Sequence, residues 1–236
     1  MKALPRVIVY VDGFNLYYGA VKNSSYKWLD LVKLAKNVVG AGIDLVSLRY
    51  FTAKVKPPPW DKDKGMRQRI YIDALRATGL VEVHFGQFKQ REKRGLLSSG
   101  IQCVCATCGS SVLAGQGEAV SIRTPEEKGS DVNLASYLML DAAKDRFDVA
   151  WVISNDSDLA TPIRLVREEF SKKVGVVFYH KGLPAQLSNP QKMSRELFAA
   201  AGKVHLFLQL KHLEKSLFPN EFTDEHGKQH RKPKTW

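Results

Sequence analysis

Apolar runs rich in β-branched residues alternate along the chain with stretches whose apolar residues recur every three or four positions. The first pattern predicts buried strands and the second predicts amphipathic helices. The runs that predict strands are RVIVYVD, LVSLRYFTA, LVEVHFGQF, DVAWVIS, KVGVVFY and KVHLFL. The helical stretches between them are WLDLVKLAKNVVG, MRQRIYIDALRATG, DVNLASYLMLDAAK, DLATPIRLVREEF and QKMSRELFAAAG. Strands that alternate with helices indicate an α/β fold with a mainly parallel sheet.

Two stretches interrupt this alternation. KVKPPPWDKDKG has consecutive prolines flanked by lysines, which predicts a stiff loop. The stretch over about 89–125 contains the cysteines, several glycines and serines, and the basic run KQREKRG. It is too rich in glycine and serine for one regular element, so we expect a cysteine-containing insertion between the third strand and the next helix.

The C-terminal stretch from Phe218 has few apolar and many charged residues. Such a segment buries too little surface to offset the entropy that is lost when it becomes ordered. We therefore expect one domain over residues 1–217, followed by a basic, flexible tail over 218–236 that is dispensable for folding. A docked final strand or helix, anchored by Phe222 and Trp236, is the alternative.

The composition fits a protein with a sizeable core, because 44% of the 236 residues are hydrophobic. No apolar run is long and uncharged enough to predict a membrane-spanning helix. The first apolar run ends in Asp12 without a small-residue cleavage site, so it does not resemble a signal peptide. A cytoplasmic location is therefore the expectation. The cysteines sit together in CVCATC with no further cysteine to pair with, which argues against a disulfide framework.

The charge balance is strongly basic. Lysine and arginine number 36 against 24 aspartates and glutamates, which gives a formal net charge of +12. An excess of this size indicates a polyanionic partner, with nucleic acid ahead of a membrane surface. Part of it lies in the terminal run HGKQHRKPKTW, whose attraction we expect to be nonspecific.

Acidic residues stand where predicted strands end or a helix begins. Asp12 ends the first strand, and Asp131 opens a helix just after the glycine of KGSD. Asp156 and Asp158 follow the strand VAWVIS. In a parallel α/β sheet the carboxyl ends of the strands meet at one edge, where ligands bind. If these strands are neighbours, four carboxylates crowd into one pocket.

Carboxylates held this close repel one another, which raises their pKa values unless a cation neutralises the cluster. Oxygen-rich acidic sites suit Mg²⁺ or Mn²⁺, and these ions assist phosphoryl chemistry. A basic protein with such a pocket fits a nuclease. Taken singly, each acid also has a structural explanation as a turn residue, a charge in the first turn of a helix, or an N-terminal cap.

Three segments, DGFNLYY, EEKGSDVNLASYLMLDAA and ISNDSDLATPIR, follow one another in this order. Together they resemble the signature segments of the NYN domain family, which belongs to the PIN-like nuclease superfamily. The resemblance spans about residues 6–208. It implies a doubly wound, PIN-like or Rossmann-like sheet with helices on both faces, a metal site made of aspartates, and action on RNA.

The resemblance also implies roles for individual residues. The acids that would bind the metal and act in catalysis are Asp12, Asp131, Asp156 and Asp158. The polar residues that would support them are Asn15, Ser154, Ser157 and Asn133. Among these, Asn15 is a further candidate catalytic residue, because it would orient a carboxylate or the phosphate. Asn155 stands where many relatives have glycine, a change that a tight turn tolerates.

These expectations describe a metal-dependent endoribonuclease that uses Mg²⁺ or Mn²⁺ and leaves 5′-phosphate and 3′-hydroxyl ends. The alternatives are an RNA-binding or regulatory module with weak or silent catalysis, and a nuclease acting on DNA. The complete set of four acids favours the enzyme, because a pure binding module would gain from neutral or basic residues at these positions.

Substrate binding is expected to come from basic residues near the active edge and from aromatic rings that stack on bases. The basic candidates are Lys54, Lys56, Arg67, Arg69, Lys89, Arg91 and Lys128. The aromatic candidates are Tyr17, Tyr18 and Trp60. The alternative for the first group is a solvated charged surface, and for the tyrosines it is core packing.

The cysteines also form a candidate zinc site. Cys105 and Cys108 have the C-x₂-C spacing of a zinc knuckle, and Cys103 offers a third thiolate. His84 is the candidate fourth ligand, although a histidine within a strand pattern is more often a core or surface residue. Reduced cysteines in a loop without metal are the alternative to structural Zn²⁺.

Overall fold

The computed structural model describes residues 3–40, 42–96, 99, 101–104, 111–115, 117, 119–179 and 194–236. The chain divides into two compact units. The first comprises Met1–Gln87 together with Gly129–Trp236, and the second is Phe88–Lys128. The second unit covers the region in which the sequence predicts an insertion, at 89–125.

The described residues form eleven strands and seven α-helices. The strands are β1 (Arg6–Asp12), β2 (Asp44–Ala53), β3 (Val81–Leu96), β4 (Ile101–Val104), β5 (Ser111–Ala114), β6 (Ala119–Lys128), β7 (Val149–Ile153), β8 (Lys173–Phe178), β9 (His205–Phe207), β10 (Glu221–Thr223) and β11 (Gln229–Arg231). The α-helices are α1 (Gly13–Leu16), α2 (Leu31–Val39), α3 (Lys64–Arg76), α4 (Ser130–Ala143), α5 (Ala160–Glu169), α6 (Arg195–Ala201) and α7 (Leu210–Glu214). The chain also contains a π-helical turn, Tyr17–Val21, and a 3₁₀ turn, Ser157–Leu159. No helix within the described ranges has the length and apolar character needed to cross a membrane.

The main sheet has the strand order β6-β3-β2-β1-β7-β8-β9. In this order, each pair of neighbouring strands from β3 to β9 is parallel. The chain therefore starts in the middle of the sheet and builds outward in both directions, as in doubly wound folds. The predicted mainly parallel α/β sheet is confirmed.

The two faces of the sheet carry separate parts of the core. Val7, Val9 and Val11 of β1 belong to one cluster of buried residues, whereas Ile8 and Tyr10 belong to the other. This alternation follows from the two-residue period of a strand. Buried residues of α2 and α3 pack in the first cluster, and those of α4, α5 and α6 pack in the second. The expected helices on both faces are therefore present.

A buried ion pair fixes α4 against the sheet. Asp141 of α4 is fully buried and receives hydrogen bonds from Arg49 Nε at 2.6 Å and from the Tyr10 hydroxyl at 2.7 Å. Arg49 itself is 5% exposed. Arg146, which is partly exposed, is a third partner of this carboxylate at 2.9 Å. Because a buried charge needs its partners, this pair holds α4 at a defined position over β1 and β2.

The C-terminal segment is structured, which corrects the expectation of a flexible tail. Strands β10 and β11 form an antiparallel hairpin. Phe218 is buried with its ring 5.4 Å from that of Trp28, and the Trp28 indole donates to the Pro219 carbonyl at 2.8 Å. The ring of Trp236 lies 6.5 Å from that of Trp28. A few well-spaced aromatic residues thus bury enough surface to order a segment whose average composition is polar.

The second unit contains the far end of β3, the antiparallel hairpin of β4 and β5, and β6. Within it Glu126 is surrounded by basic side chains, with Lys128 Nζ at 3.2 Å and Lys93 in contact. Cys103 belongs to β4, but the structure does not describe its side chain. Cys105 and Cys108 lie outside the described residues. The predicted zinc site therefore stays a prediction.

Phe218→Ala should lower the free energy of unfolding by about 3 kcal/mol, because it removes a large buried ring from the contact with Trp28. Urea unfolding measures the effect. Lys234→Ala, an exposed position in the same segment, is the control and should change stability by less than about 0.5 kcal/mol. Equal midpoints for the two variants would contradict a docked C-terminal segment.

Asp141→Asn should destabilise the protein by roughly 3 kcal/mol or more, because it removes the buried charged partner of Arg49 and leaves only Glu82, a half-exposed carboxylate, to pair with its guanidinium. Arg146→Ala removes only a partly exposed partner and should cost about 1 kcal/mol or less. Urea unfolding of both variants separates the two contributions. A similar small effect in both would show that Arg49 and Asp141 do not act as a buried pair.

Candidate metal site at the carboxyl edge of the sheet

The pairing of β1 with β7 brings two polar turns side by side. Val11 pairs with Ile153, so the residues that follow these positions leave the sheet together at its carboxyl edge. The first is Asp12, which ends β1 and is 3% exposed. The second is Ser154, whose buried hydroxyl donates to Asp12 Oδ2 at 3.0 Å. The same hydroxyl accepts the backbone N–H of Asp156 at 3.1 Å, which ties the turn after β7 to Asp12.

Three of the four predicted acids meet at this edge. Asp12, Asp131 and Asp156 each offer a carboxylate oxygen, and these oxygens all lie within 4.8 Å of one another. Asp131 reaches the group from the first turn of α4, just after Gly129. Gly129 has φ 98°, a left-handed conformation that glycine adopts without steric cost, and it allows the chain to turn sharply into α4.

The cluster is electrostatically unfavourable without a cation. Burial raises the pKa of Asp12 to about 7, and the charges of Asp131 and Asp156 act in the same direction. Hydrogen bonds from the Asn15 backbone N–H, at 3.0 Å, and from the Ser154 hydroxyl oppose this shift only in part. A divalent cation bound by the three acids would remove the repulsion.

Asp158 lies outside the cluster, which corrects the expectation of four converging acids. Asp156 caps the 3₁₀ turn and accepts the backbone N–H of Asp158 at 3.0 Å. A 3₁₀ helix has three residues per turn, so side chains two positions apart point in different directions. The Asp158 side chain is exposed and lines a separate polar cavity together with Arg164 and Glu196.

Asn15 is oriented by hydrogen bonds to its side-chain oxygen. Its Oδ1 accepts the backbone N–H of Asn155 at 3.1 Å and the hydroxyl of Tyr179. Its side-chain amide nitrogen has no hydrogen-bond partner among the described residues, so both N–H groups remain to donate. Sequence reasoning missed Tyr179, although it follows β8 directly and the same strand-end criterion would have included it.

Asn155 links the turn after β7 to the end of β8. Its side chain donates to the Tyr179 carbonyl at 2.6 Å and accepts the Tyr179 backbone N–H at 3.3 Å. Gly19 makes room for the same tyrosine, because a Cβ there would collide with the Tyr179 ring. Burial, together with the charge of Asp12, keeps the pKa of the Tyr179 hydroxyl well above its ordinary value. The hydroxyl therefore stays protonated and donates to Asn15.

The remaining predicted polar residues have other partners. Ser157 is exposed, and its hydroxyl makes no hydrogen bond within the described ranges. Asn133 donates to the Phe85 carbonyl at 3.5 Å. His84, the candidate zinc ligand, packs its ring 4.9 Å from Phe51, and burial lowers its pKa. Arg49 Nη1 lies 3.3 Å from the His84 ring nitrogen and lowers the pKa further.

The predicted basic residues differ in how free their charges are. Lys54, Lys56 and Arg69 in the first unit, and Lys89 and Arg91 in the second, are exposed. Among these, Arg91 Nε lies 3.9 Å from the Glu126 carboxylate. Arg67 is paired with Asp61, whose oxygens lie 2.7 and 2.5 Å from its Nη2. Lys128 is exposed as well but shares the carboxylate of Glu126. Trp60 is 86% exposed, whereas Tyr17 packs partly against the core.

The metal-free protein should lose stability as pH rises from about 4 to about 7. The folded chain keeps a proton on Asp12 up to its raised pKa of about 7, whereas the unfolded chain releases it near the ordinary value of about 3.9. Between these values the folded state binds more protons, so the free energy of unfolding falls with rising pH. Asp12→Asn removes this contribution and keeps an acceptor for the Asn15 N–H.

Thermal melts in EDTA at about pH 5 and about pH 8 measure the difference between wild type and Asp12→Asn. Wild type should lose stability relative to the variant at the higher pH, and Mn²⁺ should restore it only in wild type. Parallel pH profiles of the two proteins would contradict a buried, proton-binding Asp12.

Comparisons with known proteins agree with this fold. The chain is similar to 6-hydroxy-3-succinoylpyridine 3-monooxygenase HspA of Pseudomonas putida (strain DSM 28022 / S16), with 27% identity over 188 residues that cover 73% of this chain. It spans only 59% of the length of that curated relative. A solved structure with a similar fold is a protein of unknown function, VPA0982, from Vibrio parahaemolyticus RIMD 2210633. Its TM-score is 0.50 at 18% identity, over 92% of this chain and all of that one. The sequence matches the NYN domain model over residues 6–207, and the chain therefore belongs to the NYN domain family.

Proposed function

We propose that this protein is a metal-dependent nuclease that hydrolyses RNA phosphodiester bonds, with Mg²⁺ or Mn²⁺ held by Asp12, Asp131 and Asp156. The observation that carries the proposal is the convergence of these three carboxylates within 4.8 Å at the carboxyl edge of a parallel sheet. It occurs in a NYN chain with a formal net charge of +12, which suits a polyanionic substrate.

The donor set fits a hard divalent cation. All three ligands are carboxylates, and one of them is buried where a bare charge is unfavourable. When bound, Mg²⁺ or Mn²⁺ would supply an activated water and stabilise charge that develops on the phosphate. Asp158 contributes negative charge beyond the cluster and is not part of the proposed ligand set.

The residues around the acids have positioning roles. Ser154 and the backbone N–H of Asn15 hold the two oxygens of Asp12, which fixes the orientation of its carboxylate. Tyr179 and Asn155 occupy the side-chain oxygen of Asn15, so its amide nitrogen is the end that is left to meet the substrate. In the proposed reaction this nitrogen donates to a phosphate oxygen and helps to align the scissile bond.

The name of the relative suggests a different chemistry, oxidation of a pyridine ring. Oxidoreductases with Rossmann-like sheets bind a dinucleotide through a glycine-rich turn after the first strand. Here that turn reads DGFNLYY and begins with an acid, whose charge would repel a pyrophosphate. This favours hydrolysis of a phosphodiester over dinucleotide-dependent oxidation.

Asp156→Asn should reduce RNA cleavage by at least about 100-fold, because loss of a metal ligand removes several kcal/mol of transition-state stabilisation. Asparagine keeps an acceptor for the cap, so the melt should change little. Asp158→Asn, the same change in the same turn, is the matched control and should lose less than about tenfold. Labelled single-stranded RNA and DNA, incubated with Mn²⁺ or Mg²⁺, provide the assay.

Other outcomes would reject the proposal, change the set of metal ligands or indicate a different function. An Asp156→Asn protein that cleaves RNA at the wild-type rate under saturating Mn²⁺ would sink the proposal. Equal losses in both variants would restore a four-acid site. Cleavage of DNA alone would indicate a DNA nuclease, and salt-dependent RNA binding without cleavage would indicate a binding or regulatory module.

A further inference from the structure

An aromatic cavity opens beside the acid cluster, within the first unit. Its volume is about 100 Å³. One of the residues that line it is Gly13, which directly follows Asp12 in the chain. The rings of Tyr17, Tyr50 and Tyr71 line it, together with the indole of Trp236 from the C-terminal segment. The proposed nuclease mechanism uses none of these rings.

The walls of the cavity are held in place from behind. A Cβ at Gly13 would come within 2.6 Å of the Tyr50 ring, so glycine at this position allows the ring to pack against the start of α1. The Tyr71 ring lies edge-on to Tyr50 at 6.3 Å, and its hydroxyl donates to the Leu29 carbonyl at 2.8 Å. Trp236 packs against Tyr71 at 5.7 Å. The cavity is therefore a preformed space between fixed rings.

The polar groups of the cavity leave positive charge at its rim. Gln68 is occupied, because its Oε1 accepts the Val55 N–H at 2.9 Å and its Nε2 donates to the Ala53 carbonyl at 2.9 Å. Asp61 is neutralised by Arg67. Lys27 and Lys64 also line the cavity, and their ammonium groups have no ion-pair partner within the described ranges. An aromatic interior with a cationic rim matches a planar ring that is attached to an anionic group.

We propose that this cavity binds one single-ring base of the RNA strand, next to the phosphate that the acid cluster cleaves; this rests on the proposed nuclease function. A closed cavity of about 150 Å³ holds one benzene ring, so a base enters this smaller, open cavity only in part, and a fused purine fits it less well than a single-ring pyrimidine. The base stacks between the tyrosine and tryptophan rings, and Lys27 and Lys64 face the backbone. The strand then continues past Gly13 to Asp12.

Binding measured in EDTA tests the proposal without cleavage. The probes are short labelled oligouridylate, oligoadenylate and an abasic oligomer of the same length and charge. Wild type should bind oligouridylate at least about 5-fold more tightly than the abasic oligomer, since one stacked base contributes this much or more. Oligoadenylate should bind less tightly than oligouridylate.

Trp236→Leu and Tyr17→Leu should each remove most of the preference for oligouridylate over the abasic oligomer, because leucine fills space but offers no π face. Phe198→Leu is the matched control, since Phe198 is 38% exposed and does not line the cavity, and it should keep the preference. Melts of all variants establish that they fold. If one of the two cavity variants fails to fold, the other carries the test.

Several results would overturn the inference. Equal binding of oligouridylate and the abasic oligomer to wild type would do so, as would a preference that survives in both cavity variants. Equal binding of oligoadenylate would remove the restriction to a single ring. A pyridine carboxylate that binds more tightly than uridine monophosphate would assign the cavity to a small molecule instead.

The same measurements separate this inference from the nuclease function. Asp156→Asn should keep the oligouridylate preference, because the acid cluster does not line the cavity. Cleavage of RNA by a wild type without base preference would leave the nuclease and reject the base site. A base preference that depends on Trp236, in a protein that cleaves no nucleic acid, would support the base site and reject the nuclease function.

Discussion

Parallel pairing of β1 with β7 at the centre of the sheet is the constraint on which the site depends. It makes two chain segments that are far apart in sequence leave the sheet at the same edge, so that Asp12 and Asp156 meet. The pairing stabilises the fold through hydrogen bonds and buried β-branched residues, whereas the meeting of the acids destabilises it. A protein that needed only the fold would have no reason to keep two acids at this position, and this is why the cluster indicates function.

Two sets of contacts hold the acids together against their repulsion. One acts directly, through the Ser154 hydroxyl and the Asn15 N–H on Asp12. The other acts at a distance, because the buried pair of Arg49 and Asp141 fixes α4 and therefore the helix start that carries Asp131. The energy of a well-packed sheet thus supports a local arrangement that is unfavourable by itself, which is common at functional sites.

The sequence predicts those parts of the structure that depend on local patterns. The strand and helix periodicities predict the α/β order, and the strand-end positions of Asp12 and Asp156 predict that they converge. The direction of the Asp158 side chain could not be predicted in this way, because it depends on whether the turn after Asp156 is 3₁₀ or α-helical. The contact of Tyr179 with Asn15 requires knowing that β8 lies next to β7.

The docked C-terminal segment shows a different limit. Its average composition is polar, and composition alone predicts disorder. Its order comes from Phe218 and Trp236 packing around Trp28, a contact between residues about 200 positions apart that no local pattern contains.

The stretch from Asp12 to Gly19 shows how closely the acid cluster and the aromatic cavity are linked. Within eight residues it supplies an acid, an oriented amide and an aromatic wall, and its two glycines admit the rings of Tyr50 and Tyr179. Its backbone changes from α1 to a π-helical turn at Tyr17, a distortion that is frequent at functional sites. A base in the cavity and a phosphate at the acids would contact the same short stretch of backbone. The distance between them would then be set by α1 rather than by flexible side chains, which is the preorganisation that in-line attack on a phosphodiester requires.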